Sequence, residues 1–212
     1  MSIDGQLKNY VETAILPLYE AFDRGHDGTH VNRVIAESLA LAADYDVDLN
    51  KVYAVAAYHD VGLPLGREQH HIHSAEILLA DATLRRWFSD ADLREMAEAV
   101  EDHRASGSRP PRSIYGCIVA EADRDIAPER ILRRTLRFSL RRQPDAPAAW
   151  HVERAVAHLR EKYAADGYLR LWLHSPKNER GLADLRALMA DEAVLRRRLR
   201  TLFDEETAAP VA

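Results

Sequence analysis

Seven of the chain's ten histidines fall between His26 and His103, and that crowding marks where its chemistry is concentrated. Neutral imidazole is the commonest metal ligand in proteins, and carboxylates join it where a site also favours oxygen donors. His30 shares a helical stripe with Val34, so it points toward an apolar interior. His59 follows Val52, Val55 and Ala56 on the inward face of its helix, and Asp60 is its immediate neighbour. Adjacent helical residues diverge by about a hundred degrees, so both can reach one ion only where the chain turns. Gly62 and Pro64 supply that turn: glycine suits a left-handed helix end, and proline prevents continuation. Asp123 lies on one face with Val119 and Ile126. A carboxylate facing a core requires a cation or several donors, because an unpaired buried charge is costly.

These side chains must be carried by helices. The apolar period is helical nearly everywhere, and no segment alternates like a strand. The pattern predicts helices over about Ile3 to Phe22, Thr29 to Tyr45, Asn50 to Asp60, His70 to Asp81, Asp90 to Arg104 and Ser113 to Ile126. Three more are expected at Glu129 to Arg142, Ala148 to Ala164 and Asn178 to Phe203. Asp27 or Thr29 suits the cap of the second helix, and the Ser/Gly/Pro-rich loop Arg104 to Arg112 is the best candidate for a flexible segment. The organisation read from this is an all-α chain. Residues 1–127 form a core carrying the polar cluster, 128–206 add helices packed on the same domain, and 207–212 are a tail.

The ordered set of His30, then His59-Asp60, then Asp123 resembles the H…HD…D signature of the HD superfamily of metal-dependent phosphohydrolases. The local contexts agree: His30-Val-Asn-Arg-Val resembles the first-histidine helix, His59-Asp-Val-Gly the HD segment, and Glu121-Ala-Asp-Arg-Asp the final aspartate helix. A bare His-Asp dipeptide carries no weight, and His26-Asp27 is a second one in this chain. The resemblance covers about Arg24 to Ile126. It implies an HD-domain helical bundle with a C-terminal helical extension, and His30, His59, Asp60 and Asp123 as ligands of a divalent ion. Their softness favours Mn, Fe, Co, Ni or Zn over Mg.

His70, four residues before Ser74-Ala-Glu, and His103, on an inward stripe with Met96 and Val100, resemble the added histidines of a subset of the family. The resemblance gives them a catalytic role beside Asp60 or a second ion. Neighbouring His71 and His73 leave the ligand open among the three. Arg33, one turn after His30, is at a reach suited to substrate phosphate. The implied reaction is hydrolysis of a phosphomonoester, phosphodiester or nucleotide anhydride by metal-activated water. A di-iron oxygenase of the same superfamily, or a non-catalytic metal- or nucleotide-binding module, is the alternative.

The resemblance implies a small phosphorylated substrate or nucleotide as the partner. The formal net charge of −5 argues against general nucleic-acid binding through phosphate neutralisation. The arginines from Arg130 to Arg142 and Arg196 to Arg200 stand at helical spacing among Ile, Leu and Phe, as solvated helix faces do. No stretch approaches a membrane span, and the N-terminus lacks a leader pattern. The single cysteine, Cys117, sits in an apolar helical run as a packed thiol and fits a reducing, cytoplasmic setting. Leu185, Leu188, Met189, Leu195, Leu199 and Leu202 on the last helix offer a surface for a homodimer.

Overall fold

Asp4 opens the first helix by accepting the N–H groups of Gln6 and Leu7, and α1 spans Gly5–Tyr10. The computed structural model describes residues 2–21, 28–104 and 109–208. His26, Asp27 and Phe22 lie outside those residues, as does the middle of the loop expected to be flexible. The chain is all-α, and among the described residues there is no strand. By its internal contacts it divides into two compact units, Met1–Arg124 and Asp125–Ala212.

In the first unit, the helical path beyond α1 changes pitch twice, through a π turn at Val11–Ile15 and a 3-10 stretch at Leu16–Ala21. Pro17 accounts for this, since its ring would clash with the carbonyl four residues back in a regular α-helix. Ile15 and Tyr19 remain buried, whereas Leu18 is exposed. Next come α2 (Gly28–Ala42), with Val31, Val34 and Ile35 buried, and α3 (Leu49–Tyr58), capped by Asp48. Every residue of α3 from Val52 to Tyr58 is buried, as befits a helix enclosed on all sides. It packs against α2, α4 (His70–Ala80), α5 (Asp90–Asp102) and α6 (Ile114–Asp123). Ser89 and Asp92 form a capping box on α5, and Ser113 caps α6. Cys117 is half-buried on α6, and burial raises its thiol above the ordinary range.

The second unit holds α7 (Pro128–Arg142), α8 (Ala148–Tyr163), α9 (Pro176–Ala190) and α10 (Glu192–Ala208). The single helix expected over Asn178 to Phe203 is therefore two. Asp191 breaks it with φ −97 and ψ 89, then accepts the Val194 N–H to start α10. Leu185, Leu195, Leu199 and Leu202 are buried where α10 packs on α7, α8 and α9 of the same unit. Those four, named above for a homodimer surface, belong to this unit's own core. Many arginines pair on the unit's surface: Arg133 and Arg137 with Glu206, Arg198 with Glu129, and Arg196 with Glu153 and Glu192. The helix continues past Asp204 to Ala208, further than the tail expected from residue 207.

Candidate metal centre

Five helices of the first unit deliver side chains to one point. His30 comes from the first turn of α2, and His59 and Asp60 from the turn that ends α3. His70 is the first residue of α4, His103 the residue that closes α5, and Asp123 the last residue of α6. His59, His103 and Asp60 are buried; His30 and His70 are nearly so, and Asp123 is the most open of the six.

The Asp60 carboxylate stands between two histidine pairs. Its Oδ2 lies 3.6 Å from His30 Nε2 and 3.4 Å from His59 Nε2, and those two nitrogens are 3.1 Å apart. Its Oδ1 lies 3.3 Å from His70 Nε2 and 3.5 Å from His103 Nε2, and those nitrogens are 3.2 Å apart. Two ligand groups therefore overlap at Asp60: His30, His59 and Asp60, then Asp60, His70 and His103. Asp123 joins the first, with Oδ1 3.2 Å from His30 Nε2 and 3.9 Å from His59 Nε2.

Three of the rings are each oriented by a carbonyl three residues earlier in the chain. Nδ1 of His59 lies 2.8 Å from the Ala56 carbonyl, that of His70 2.8 Å from Arg67, and that of His103 2.6 Å from Val100. A carbonyl only accepts, so each Nδ1 carries a hydrogen, and the neutral form of such a ring presents its Nε2 lone pair to the centre. Such lone pairs facing each other at 3.2 Å, as in His70 and His103, repel unless a cation lies among them. Metal–nitrogen bonds of roughly 2.0–2.1 Å place neighbouring ligand nitrogens about 3 Å apart, so the donors fit a divalent ion.

Electrostatics separates His30 from His70. Burial alone would raise the Asp60 carboxyl, but His59, His103 and His30 hold it well below the usual carboxylate range. Asp123 is likewise held down against burial, chiefly by the hydrogen bond with His30. Burial would lower His30, yet its bonds to Asp123 and Asp60 raise it to about 9. His70 goes the other way, pushed by burial and then by neighbouring His103 to about 4. His103 is raised, because Asp60 outweighs the effect of its burial.

Of the three adjacent candidates, geometry brings His70 to the centre. His73 turns to Glu76 at 3.3 Å, and His71 packs edge-on against His70. Arg33, expected to meet substrate phosphate, is engaged with the end of α6. Its Nη1 donates to the Ala122 carbonyl at 3.0 Å and its Nη2 to that of Asp123 at 3.2 Å, with His30 Nδ1 3.3 Å away.

Gly62 also differs from expectation. Its φ is −81, not left-handed, and the positive φ falls at Gly66. What requires glycine at 62 is proximity: a Cβ there would stand 2.5 Å from both the His70 carbonyl oxygen and the Ser74 nitrogen. The first turn of α4 thus rests directly on the turn after Asp60, fastened by the Gly62 N–H to Ser74 Oγ at 2.9 Å. Tyr19, a buried core residue that the sequence analysis did not single out, has a second task. Its hydroxyl donates to the Ala57 carbonyl at 2.9 Å and accepts the Asp60 N–H at 3.3 Å, holding the turn that carries both ligands. The only signal was a polar tip on a buried ring.

The family model for the HD domain matches residues 28–127. A solved structure, that of a predicted HD superfamily hydrolase from an uncultured Thermotogales bacterium, superposes with a TM-score of 0.48 at 19% identity. The match covers 89% of this chain and 87% of that one. No curated protein matches.

Proposed function

With residues 28–127 being an HD domain, we propose that the chain is a metal-dependent hydrolase of small phosphoesters or nucleotide phosphoanhydrides. The observation that carries this reading is the Asp60 carboxylate set between two histidine pairs, with Asp123 beside one of them. His30, His59, Asp60 and Asp123 would hold one divalent ion; His70 and His103 would hold a second through the other oxygen of Asp60. Imidazole-rich donors favour Mn, Fe, Co, Ni or Zn over Mg. When bound, such an ion supplies Lewis acidity at a phosphoryl oxygen and a nucleophile at neutral pH.

The chain's own groups set the rest. His70, lowered to about 4, is neutral at pH 7 and offers a lone pair rather than a proton. It is suited to hold a cation and unsuited to bind phosphate as an imidazolium. Asp60 and Asp123 stay ionised across the working range and keep the centre anionic before loading. Burial of His59 and His103 keeps bulk water from two of the donors.

The test is to load metal-free protein with each of the six ions and screen phosphomonoesters, phosphodiesters and nucleotides. Turnover that disappears with chelator and returns with one of the transition ions is expected. A protein that retains no metal, and in which Asp60→Ala leaves binding and turnover unchanged, refutes the reading. Oxygen consumption with turnover would instead favour an oxygenase, and tight nucleotide binding without turnover a sensing module.

A further inference from the structure

We propose that Arg33 is a positioning residue for the His30 and Asp123 half of the centre, which ties α2 to the end of α6; this rests on the metal-centre reading above. Arg33 follows His30 by one helical turn, so the two share a side of α2. Its guanidinium meets the two last carbonyls of α6, those of Ala122 at 3.0 Å and Asp123 at 3.2 Å. Terminal carbonyls of a helix have no partner within it, and a planar guanidinium can serve two of them at once.

The position matters because α6 ends there. Asp123 is its last residue, and Arg124 leaves in extended conformation with φ −62 and ψ 133. A ligand at the frayed end of a helix needs something to fix its backbone. Arg33 grips that backbone through the carbonyl of Asp123 itself, while its other neighbour is the His30 ring, 3.3 Å from Nη2. One side chain thereby sets the separation of two ligands, whose donor atoms stand 3.2 Å apart. His70 and His103 owe nothing to it, since their rings rest on the carbonyls of Arg67 and Val100.

This assignment differs from phosphate binding in what it predicts. Metal-free full-length wild type, Arg33→Met and Arg33→Lys are titrated with Co(II) alone, followed by its visible absorption and by calorimetry. The titrations are repeated in a His103→Ala background, which isolates the His30 half. Arg33→Met is expected to weaken that half by roughly 10- to 100-fold, the usual cost of losing a group that orients a ligand. Arg33→Lys should fall between, because an ammonium serves one carbonyl where the guanidinium serves two. The His70 and His103 half should bind as in wild type.

Unchanged Co(II) affinity in Arg33→Met overturns the proposal, and a raised KM alongside it would assign the arginine to substrate. Parallel weakening of both halves overturns it too, because that is the mark of general destabilisation. If Arg33→Met does not fold, Arg33→Lys is judged alone, and wild-type affinity in it overturns the proposal. Wild-type protein that binds no Co(II) would instead refute the metal centre itself.

Discussion

At one end of Asp60, His30 and His59 meet a second carboxylate; at the other, His70 and His103 meet only each other. One imidazole from each end, His30 and His70, therefore behaves in the opposite way to the other. His30, beside Asp123 and Asp60, is raised to about 9, whereas His70, buried beside His103, falls to about 4. One half attracts positive charge by itself, and the other needs the shared carboxylate to do so. The difference is also mechanical. The first half depends on a bridge between two helices through Arg33, and the second on local carbonyls and on the seating of α4 over Gly62. The half with two carboxylates should fill first.

The strongest way to break this comparison is to remove what the halves share. Asp60→Asn keeps the shape and deletes the charge facing both histidine pairs. Both metal equivalents should be lost from elemental analysis, with turnover down on the order of 10³-fold or more, given the several kcal/mol such an ion contributes. Retention of one full equivalent would mean that Asp60 does not serve both halves.

Gly62→Ala should separate the halves. The added methyl collides with the His70 carbonyl and the Ser74 nitrogen, so the first turn of α4 must move and carry His70 with it. The expected outcome is a stability loss of roughly 1–3 kcal/mol. Affinity for one equivalent should drop by about 10- to 100-fold with the other preserved. Calorimetric stoichiometry alongside thermal melting reads both, and equal weakening of the two equivalents would contradict the division.

The smallest effect is in the pH dependence of the metal-free protein. His30 is raised above its ordinary value of 6.5, so its contribution is complete below about 6.5 and is lost as pH rises through 9. His70 is lowered, so its contribution is complete above about 6.5 and is lost as pH falls toward 4. The melting temperature should therefore peak near the ordinary histidine value. His30→Asn should flatten the alkaline limb and His70→Asn the acid limb. A profile in which each substitution alters the opposite limb would reverse the assignment.

Much of this was legible because burial leaves a period. The stripe that placed His30 with Val34 is found buried, whereas α3 is buried all round, so its period shows the burial of His59 but not its direction. Choosing among His70, His71 and His73 was not legible, since all three lie within the first turn of α4 and its rotation is set by tertiary packing on α5 and at Gly62. Nor was the break at Asp191, because leucines recur at helical spacing on both sides and the cap is a side-chain bond. Arg33 was seen as a charge in reach of the centre. Its real partners are carbonyls about ninety residues further along, which no local pattern reveals.

The carbonyls that hold His59, His70 and His103 each lie three residues before the ring they hold. Acceptor and imidazole thus belong to a single tetrapeptide, and that short piece of chain carries the aim of its ligand wherever it is placed. Such pieces are portable: helices can lengthen, loops can change, and each ring keeps its bearing. The connection between α2 and α6 has no such independence, and a lineage that altered it would have to rebuild both ends together.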